Sequence, residues 1–218
     1  MNAQPSTRLR AWTLALLAST VAAGPPVHTQ PGSASGAVNT LTRAEAAAGW
    51  TLLFDGRSLA GWTRATGDAD WTVDRDVITY SKGRGLLWTE KAYDNYQLKL
   101  EFWAERTANT GVFLRCGPKP GPTTCYEVNI FDPHETDPTG SIVGVHSVLP
   151  ERPDTAEKWN TYEITADGDH LVVKLNGNIT TDVRDTVLKL AGGPIGLQAA
   201  GPGGPGVARF RNIKIRSL

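Results

Sequence analysis

In Tyr96-Gln97-Leu98-Lys99-Leu100-Glu101-Phe102, every second residue is apolar and the residues between are polar or charged. Side chains of a β-strand point alternately to its two faces, so a period of two predicts a strand with one buried and one solvated face. The same period recurs in runs at residues 71–78, 112–114, 126–130, 162–164, 171–175 and 210–215. We therefore predict an all-β protein.

Residues that favour tight turns separate these runs, for example Asp167-Gly168-Asp169 and Asn176-Gly177-Asn178. Asp-Gly and Asn-Gly pairs suit two-residue hairpin turns, because such turns need positive φ angles. Many short strands joined by tight turns are typical of an antiparallel sandwich or a closed barrel. Periodicity alone leaves both architectures open.

The composition is that of a globular domain without a charge preference. Of the 218 residues, 40% are hydrophobic and 20% are charged, and the formal net charge is zero. No basic or acidic block interrupts the chain, so we expect neither nucleic acid nor an anionic membrane surface as a partner.

The first 40 residues predict export. Arg8 and Arg10 precede an apolar stretch, and Val21-Ala22-Ala23 fits the small-residue rule for signal-peptide cleavage. We predict a signal peptide over residues 1–23 and an exported product, periplasmic or extracellular. The apolar run is too short for a good membrane span, so none is expected after cleavage. Residues 24–40 are rich in Pro, Gly, Ser and Ala and predict a flexible leader, which places the folded domain at residues 41–218.

Two short helical segments are expected outside the strands. Thr42-Arg43-Ala44-Glu45 matches a capping box, and Gly49 supplies a stop, so one short N-terminal helix is predicted there. A single helical turn is also predicted over residues 186–190.

Strand alternation collects a set of polar and aromatic side chains on the faces opposite the apolar residues. If neighbouring strands pair, this set forms one outer surface carrying Glu101, Trp103, Arg115, Glu127 and Asn129. Aromatic rings stack on sugar rings, carboxylates and amides bind hydroxyl groups, and a guanidinium holds a carbonyl oxygen or an oxyanion. The surface therefore suits a carbohydrate, although a solvated polar face with a Glu–Arg pair explains the same pattern.

Several segments, taken in order, resemble the 3-keto-disaccharide hydrolase-type domain over residues 42–218. The matching segments are Leu53-Phe54-Asp55-Gly56, Asn109-Thr110-Gly111-Val112-Phe113-Leu114-Arg115, Tyr126-Glu127-Val128-Asn129-Ile130, Trp159-Asn160-Thr161-Tyr162, Gly193-Pro194-Ile195-Gly196-Leu197-Gln198 and Phe210-Arg211-Asn212-Ile213. The resemblance implies a concanavalin-like jelly-roll sandwich of two antiparallel sheets with a concave sugar-binding face, an architecture shared with family 16 glycoside hydrolases. Asn129 stands where the 3-keto-disaccharide hydrolase-type domain usually has Gln.

The resemblance also implies which side chains contact the substrate and which perform chemistry. We predict substrate contacts from Trp103, Asn129, Phe113 and Gln198. The nucleophile signature of family 16, E-x-D-x-x-E, is missing, because Asn129 replaces its middle acid and Asp132 stands at the position of its last Glu. The standard retaining mechanism is therefore not expected.

A 3-keto sugar offers a different route, in which a base removes the C2 proton acidified by the C3 carbonyl and the resulting enolate expels the C1 substituent. Glu127 or His146 is predicted as the base, and Arg115 as the stabiliser of the enolate. Glu101 or Asp132 is predicted to protonate the leaving oxygen. Addition of water completes a net hydrolysis.

The two cysteines flank a loop between two predicted strands. In an exported protein this arrangement predicts a disulfide between Cys116 and Cys125 that closes a hairpin. Direct pairing of the cysteines would place Leu114 opposite Glu127, whereas a register shifted by one would place Arg115 there. The sequence leaves both registers open.

No cofactor is predicted, although a divalent metal stays open as an alternative. Asp132, His134, Glu135 and Asp137 form an acidic cluster with a histidine, and a divalent ion would suit enolate stabilisation. Their spacing matches no strong ligand motif, and Pro133 and Pro138 favour a plain loop instead.

The predicted function is that of an exported enzyme that cleaves 3-keto-glycosides or 3-keto-disaccharides, either as a hydrolase or as a lyase that stops after elimination. Such an enzyme depends on a separate sugar oxidoreductase, because no nucleotide-binding motif is present. A non-catalytic carbohydrate-binding module on the same face is the alternative, and a secreted scaffold domain is a third.

Overall fold

The computed structural model describes residues 37–120, 123–201 and 204–218, together with Met1. Most of the predicted signal peptide and leader lies outside these ranges and stays a prediction.

Ser35–Leu218 forms one compact unit. Its ordered contacts begin before Leu41, because Asn39 is buried and exchanges two hydrogen bonds with Asn212. Within the described ranges, no helix is long and apolar enough to cross a membrane.

The described residues contain one helix and a series of short strands. The helix is α1 (Arg43–Ala47), and the strands are β1 (Thr51–Leu52), β2 (Trp62–Gly67), β3 (Thr72–Asp74), β4 (Val77–Thr79), β5 (Gly85–Thr89), β6 (Tyr96–Ala104), β7 (Thr110–Leu114), β8 (Tyr126–Ile130), β9 (Asn160–Asp167), β10 (His170–Leu175), β11 (Asn178–Arg184), β12 (Gly196–Ala199) and β13 (Ala208–Ser217).

Helix α1 has the capping box that the sequence predicts. The Thr42 hydroxyl accepts from the Glu45 amide, and the Glu45 carboxylate accepts from the Thr42 amide at 2.9 Å. Gly49, with φ of +82°, follows the helix C-terminus in the left-handed region. The Glu45 carboxylate also pairs with the Lys214 ammonium, which attaches the helix to β13.

Two antiparallel sheets make up the domain, as predicted. The larger has the order β11-β10-β9-β6-β13-β4-β3, with β1 added beside β13, and the smaller has the order β2-β5-β12-β7-β8. The local hairpins follow the turn residues, for Arg75 and Asp76 both have positive φ between β3 and β4. The pairs β6–β13 and β12–β5 join segments far apart in the chain.

The core lies between the two sheets and is built from the apolar sets of the alternating strands. Tyr96, Leu98, Leu100 and Phe102 of β6 are at most 1% exposed. From the smaller sheet, the buried set includes Val112, Leu114, Val128, Ile130 and Leu197. Burial of these faces leaves the opposite face of each sheet for polar side chains, and the smaller sheet uses its outer face for the candidate site.

The β7–β8 hairpin has neither of the two registers considered from the sequence. Phe113 pairs with Glu127 and Leu114 with Tyr126. Arg115 has φ of +52°, so the regular strand ends at Leu114 and the chain changes direction before Cys116. The disulfide between Cys116 and Cys125 is present as predicted and closes the hairpin.

The helical turn predicted over residues 186–190 is wrong. This segment follows β11 as an irregular bend. The Asp185 carboxylate accepts the backbone amides of Val187, Leu188 and Lys189, and this side-chain cap replaces the backbone hydrogen bonds that a helical turn would need.

Candidate functional site

The candidate site lies on the outer face of the five-stranded sheet. In β8, Val128 and Ile130 point into the core, so Glu127 and Asn129 point outward. In β12, Leu197 and Ala199 belong to the core and Gln198 points outward. The pairing of β12 with β7, and of β7 with β8, brings these outward side chains to one surface.

A cleft of about 500 Å³ opens above this surface and is walled by the loop after β8. Its lining is mainly polar and comprises Asn109, Glu127, Asn129, Phe131, Pro133, His134, Glu135, Thr136, Val143 and Gln198. Arg152 fixes the loop, since its guanidinium donates to the His134 carbonyl at 2.9 Å and to the Glu135 carbonyl at 3.2 Å. Clefts of this size are typical of small-molecule sites.

Glu127 is the carboxyl group in this cleft whose pKa is shifted by its surroundings. Burial, followed by the negative charge of Asp137, raises the pKa of Glu127 to about 7. Its carboxylate has no hydrogen-bond partner among the residues that the structure describes, so its oxygens are available to a bound molecule. A carboxyl group with a pKa near neutrality suits a general base, because it accepts a proton readily and is still largely ionised at physiological pH.

Gly111 makes room for Glu127. It lies on β7, and a Cβ atom at this position would sit 2.9 Å from Glu127 Oε1 and 3.1 Å from Glu127 Cγ. Because such a contact is too close, only glycine lets the Glu127 side chain lie across the neighbouring strand.

His134 and Asn129 are oriented by the same loop. His134 Nδ1 accepts the Asp137 amide at 2.9 Å, so Nε2 carries the proton of the neutral ring and can donate it. The Asn129 amide nitrogen donates to the Asp137 carbonyl at 2.5 Å. Asn129 therefore holds the loop as well as lining the cleft, and this backbone contact occupies one of its amide hydrogens.

A second cleft, of about 390 Å³, continues from the first. Glu127 and Gln198 line both, and the second is otherwise floored by apolar side chains, including Leu86 and Phe113. The Gln198 Oε1 atom is buried and has no hydrogen-bond partner within the described ranges. Phe113 and Gln198, predicted as substrate contacts, thus lie beside Glu127.

Arg115 lies apart from Glu127, which corrects the expectation of one shared surface. The Arg115 side chain is 1% exposed, and its guanidinium donates to the carbonyls of Asp94, Gly168 and Leu190 and to Asn95 Oδ1, at 2.5–3.0 Å. Its positive φ breaks the strand alternation on which the expectation was based. These contacts make Arg115 a structural anchor for three loops.

Glu101 and Trp103 also lie away from Glu127, since they belong to β6 of the larger sheet and point to its outer face, on the opposite side of the sandwich. Glu101 accepts Arg211 Nε at 2.7 Å and Asn212 Nδ2 at 2.8 Å. The Arg209 guanidinium stacks on the Trp103 ring at 4.1 Å. Alternation predicts a face of a strand correctly, but it does not tell which sheet the strand joins.

Asp132 and His146 lie near the cleft but do not line it. The Asp132 carboxylate accepts from the hydroxyls of Thr139 and Thr155 and from the amides of Thr155 and Ala156, so it holds loops together. His146 pairs through its backbone with Ile142, which in turn bridges to Val128 of β8. His146 is therefore two strand spacings, roughly 10 Å, from the backbone of β8.

Sequence reasoning did not assign a site role to Asn109, and it considered His134 only as part of an acidic cluster. Both line the cleft with Glu127. The position of Asn109 at the start of the matching segment 109–115 was an available signal. For His134, the close spacing after β8 was a signal, but the fold of the loop decides where its ring lies.

In the described part of the chain, no three His, Cys, Asp or Glu side chains are placed to hold a metal ion.

A wider depression of about 710 Å³ lies near Arg115, but two of the three carboxylates that line it are engaged. Asp185 accepts the Tyr126 hydroxyl at 2.5 Å in addition to backbone amides, and Asp169 pairs with Arg184 at 2.6 Å. A carboxylate that already accepts several hydrogen bonds is a weaker base than Glu127. The cleft at Glu127 is therefore the better candidate.

Residues 49–216 match the 3-keto-alpha-glucoside-1,2-lyase-like domain. The chain belongs to this family. The match covers both sheets and includes every residue that lines the cleft at Glu127. No curated protein sequence matches the chain.

Solved structures with the same fold include glycoside-acting and sugar-binding proteins. A provisionally assigned glycosyl hydrolase from Parabacteroides distasonis ATCC 8503 aligns with a TM-score of 0.70 and 22% identity, over 83% of this chain and 99% of its own. A second such protein from the same organism aligns with a TM-score of 0.64 and 26% identity, over 78% and 99%. The carbohydrate-binding module CBM66 from Bacillus subtilis aligns with a TM-score of 0.56 and 17% identity, over 72% and 96%.

Proposed function

We propose that the domain cleaves the glycosidic bond of 3-keto-glycosides by proton abstraction at C2 and elimination at C1, with Glu127 as the base. The observation that carries this proposal is the largely buried Glu127 carboxylate in the cleft, which has no hydrogen-bond partner within the described ranges and has its pKa raised to about 7. Membership of a 3-keto-glucoside lyase-like family and likeness to a provisionally assigned glycosyl hydrolase support the same chemistry.

The reaction is redox-neutral at every step. Glu127 takes the C2 proton, and the electrons of the C2–H bond form an enolate on the C3 oxygen. The enolate re-forms the ketone and a C1–C2 double bond while the C1–O bond breaks, and the leaving oxygen takes a proton. A water oxygen then adds to C1, one proton of that water replaces the proton given to the leaving oxygen, and the proton held by Glu127 returns to C2, which completes a net hydrolysis.

The cleft offers a neutral proton donor for the second step. The Nδ1 atom of His134 accepts the Asp137 amide, so the ring carries its proton on Nε2. Because His134 lines the cleft, this N–H can donate to the leaving oxygen or to the C3 oxygen of a bound substrate. Because Arg115 is buried away from this cleft, the role of enolate stabiliser passes in this proposal from Arg115 to His134 and the amides of the cleft.

A carbohydrate-binding module is the second candidate, favoured by the likeness of the fold to CBM66. A module would bind unoxidised sugars without turnover and would not need a carboxyl group with a raised pKa.

The test is turnover of 3-keto-trehalose, 3-keto-lactose and their unoxidised parents, with and without EDTA, by the wild type and Glu127→Gln. We expect turnover of keto forms only, and a loss of about 10²- to 10⁴-fold in the variant. Glu163→Gln is the matched control, since Glu163 pairs with Lys99 on the larger sheet. Full activity of Glu127→Gln would remove Glu127 as the base, and binding without turnover would favour the module. Ultraviolet absorption by an accumulated enone would identify a lyase.

The proposal includes a location and a partner reaction. We expect the protein to be exported, on the signal-like residues 1–23. We also expect a separate sugar oxidoreductase to form the ketone, because the proposed reaction consumes a ketone and creates none.

A further inference from the structure

The cleft beside Glu127 has two halves of different chemistry. The 500 Å³ half carries carboxylates, amides and an imidazole, whereas the 390 Å³ half is floored by Leu86, Phe113 and Ala200. Leu86 and Phe113 belong to a small apolar cluster with the disulfide, and this cluster lies on the outer face of the sheet, separate from the core. Leu86 and Phe113 are only 5% and 7% exposed, so they pack mainly within this cluster, and the part of each side chain that stays accessible lines the second cleft.

Strand register places this apolar half directly against the catalytic half. Phe113 of β7 pairs with Glu127 of β8, and Leu86 of β5 pairs with Gln198 of β12. Directly paired residues have Cβ atoms about 4.5–5.5 Å apart on the same face. A molecule whose C2 atom reaches Glu127 can therefore place its C1 substituent over the apolar half of the cleft.

Apart from Glu127 and Gln198, which this half shares with the polar half, only two of its lining residues are polar. They are Thr66, whose hydroxyl accepts the Leu86 amide at 3.2 Å, and Arg84, which lies exposed at the rim. Hydroxyl groups buried against Leu86 and Phe113 would lose their hydrogen bonds to water without replacement, which is unfavourable. An apolar group would instead gain by leaving water.

Resting on the proposed function, we infer that the apolar half is a subsite for the leaving group, and that the preferred substrates are 3-keto-glucosides of apolar or aromatic alcohols rather than 3-keto-disaccharides. The keto sugar occupies the polar half with Glu127 and His134, and its aglycone lies over Leu86 and Phe113.

A matched pair of substrates tests this inference: the 3-keto-glucosides of 2-phenylethanol and of ethanol, in both anomers. The two alcohols have similar leaving ability, so a difference in kcat/KM reports contact with the aglycone. We expect the phenylethyl compound to be preferred by at least about tenfold, as for a group that fills a hydrophobic pocket. Leu86→Thr should reduce this ratio by about threefold or more, and Phe113→Leu serves as the second variant if Leu86→Thr fails to fold.

Ile179→Thr is the control, because Ile179 is 59% exposed on β11 of the other sheet and the substitution should leave the ratio unchanged. Equal kcat/KM for both compounds in the wild type would overturn the inference and leave the proposed function intact. Failure to turn over either compound would instead overturn the proposed function. In that case calorimetric titration with the same pair decides the inference: tighter binding of the phenylethyl compound supports the subsite, and equal affinity rejects it.

Discussion

At the Glu127 side chain, burial and a neighbouring charge act in the same direction. Removal from water disfavours the ionised carboxyl, and the negative charge of Asp137 disfavours it further, so the pKa rises to about 7. The absence of a hydrogen-bond partner within the described residues leaves these two effects uncompensated. The same carboxyl on an exposed strand would be fully ionised at neutral pH and a weaker base.

The pH dependence of kcat/KM follows from this raised pKa. A general base must be ionised to act, so kcat/KM on a 3-keto-glucoside should rise about tenfold per pH unit below pH 7 and level off near pH 8. Asp137→Asn removes the neighbouring charge and should move the rise to lower pH. A flat profile between pH 5 and 8 would show that another group, or none, controls the reaction.

Stability gives an independent measurement of the same titration. Because the folded pKa exceeds the unfolded value, the contribution of Glu127 to stability is present below about pH 4.5 and is lost as the pH rises through about 7. Glu127→Gln should therefore raise the free energy of unfolding relative to the wild type at pH 8, on the order of 2–3 kcal/mol, and have little effect at pH 4. Urea unfolding at both values measures the difference.

At the scale of the elements, the β7–β8 hairpin positions the site through a glycine, Gly111, which has no side chain. Gly111 pairs with Asn129 and leaves space for Glu127 to lie across β7. The hairpin is closed by the disulfide at one end, and the Asn129 carbonyl accepts the Tyr162 hydroxyl at 2.6 Å. The backbone under Glu127 is thus tied to both sheets.

Gly111→Ala should displace the Glu127 carboxylate and reduce kcat/KM by about 10- to 100-fold while the protein remains folded. The residue does not have a positive φ, so alanine causes no backbone strain, and the close contact of 2.9 Å is made by the flexible end of Glu127. Steady-state kinetics and circular dichroism measure the two effects.

Gly117→Ala is the matched control for this change. A Cβ atom there would meet Thr124 at 3.5 Å, an ordinary contact, so turnover should stay at the wild-type level. If Gly111→Ala were as active as Gly117→Ala, the position of the Glu127 carboxylate could not be critical.

At the scale of the whole molecule, the sandwich separates two polar faces that a strand-by-strand reading would merge. The outer face of the larger sheet carries Glu101 with Arg211, and cations stacked on Trp103 and Trp159. These contacts satisfy the charged groups among themselves. The outer face of the smaller sheet carries the cleft with Glu127, whose carboxylate has no partner among the residues that the structure describes.

Glu101→Gln should therefore leave kcat/KM within about twofold of the wild type, although Glu101 has the residue type of a proton donor. The expected effect is on stability instead, about 1 kcal/mol, because a half-buried ion pair with Arg211 is lost. Parallel measurement of turnover and thermal unfolding separates the two. A tenfold loss of turnover in a folded variant would show that Glu101 takes part in the reaction.

Features that depend on neighbours along the chain can be predicted from the amino-acid sequence. The capping box of α1, the buried set of β6, the hairpin disulfide and the family motifs each rest on a few adjacent residues, and all are present. The outward direction of Glu127 and Asn129 also followed from a period of two.

Which strands share a sheet, and therefore which outward side chains meet, follows from the three-dimensional fold. Sheet membership depends on pairing between distant segments, such as β6 with β13 and β12 with β7. The alternation of apolar and polar residues within one strand does not predict which other strand it pairs with. For this reason Glu101 and Trp103 lie away from Glu127, whereas Arg115 is turned away from it by its positive φ at the end of β7. His134 and Asn109 line the cleft of Glu127. The raised pKa of Glu127 likewise comes from surroundings that the fold assembles, because burial and the charge of Asp137 act through space.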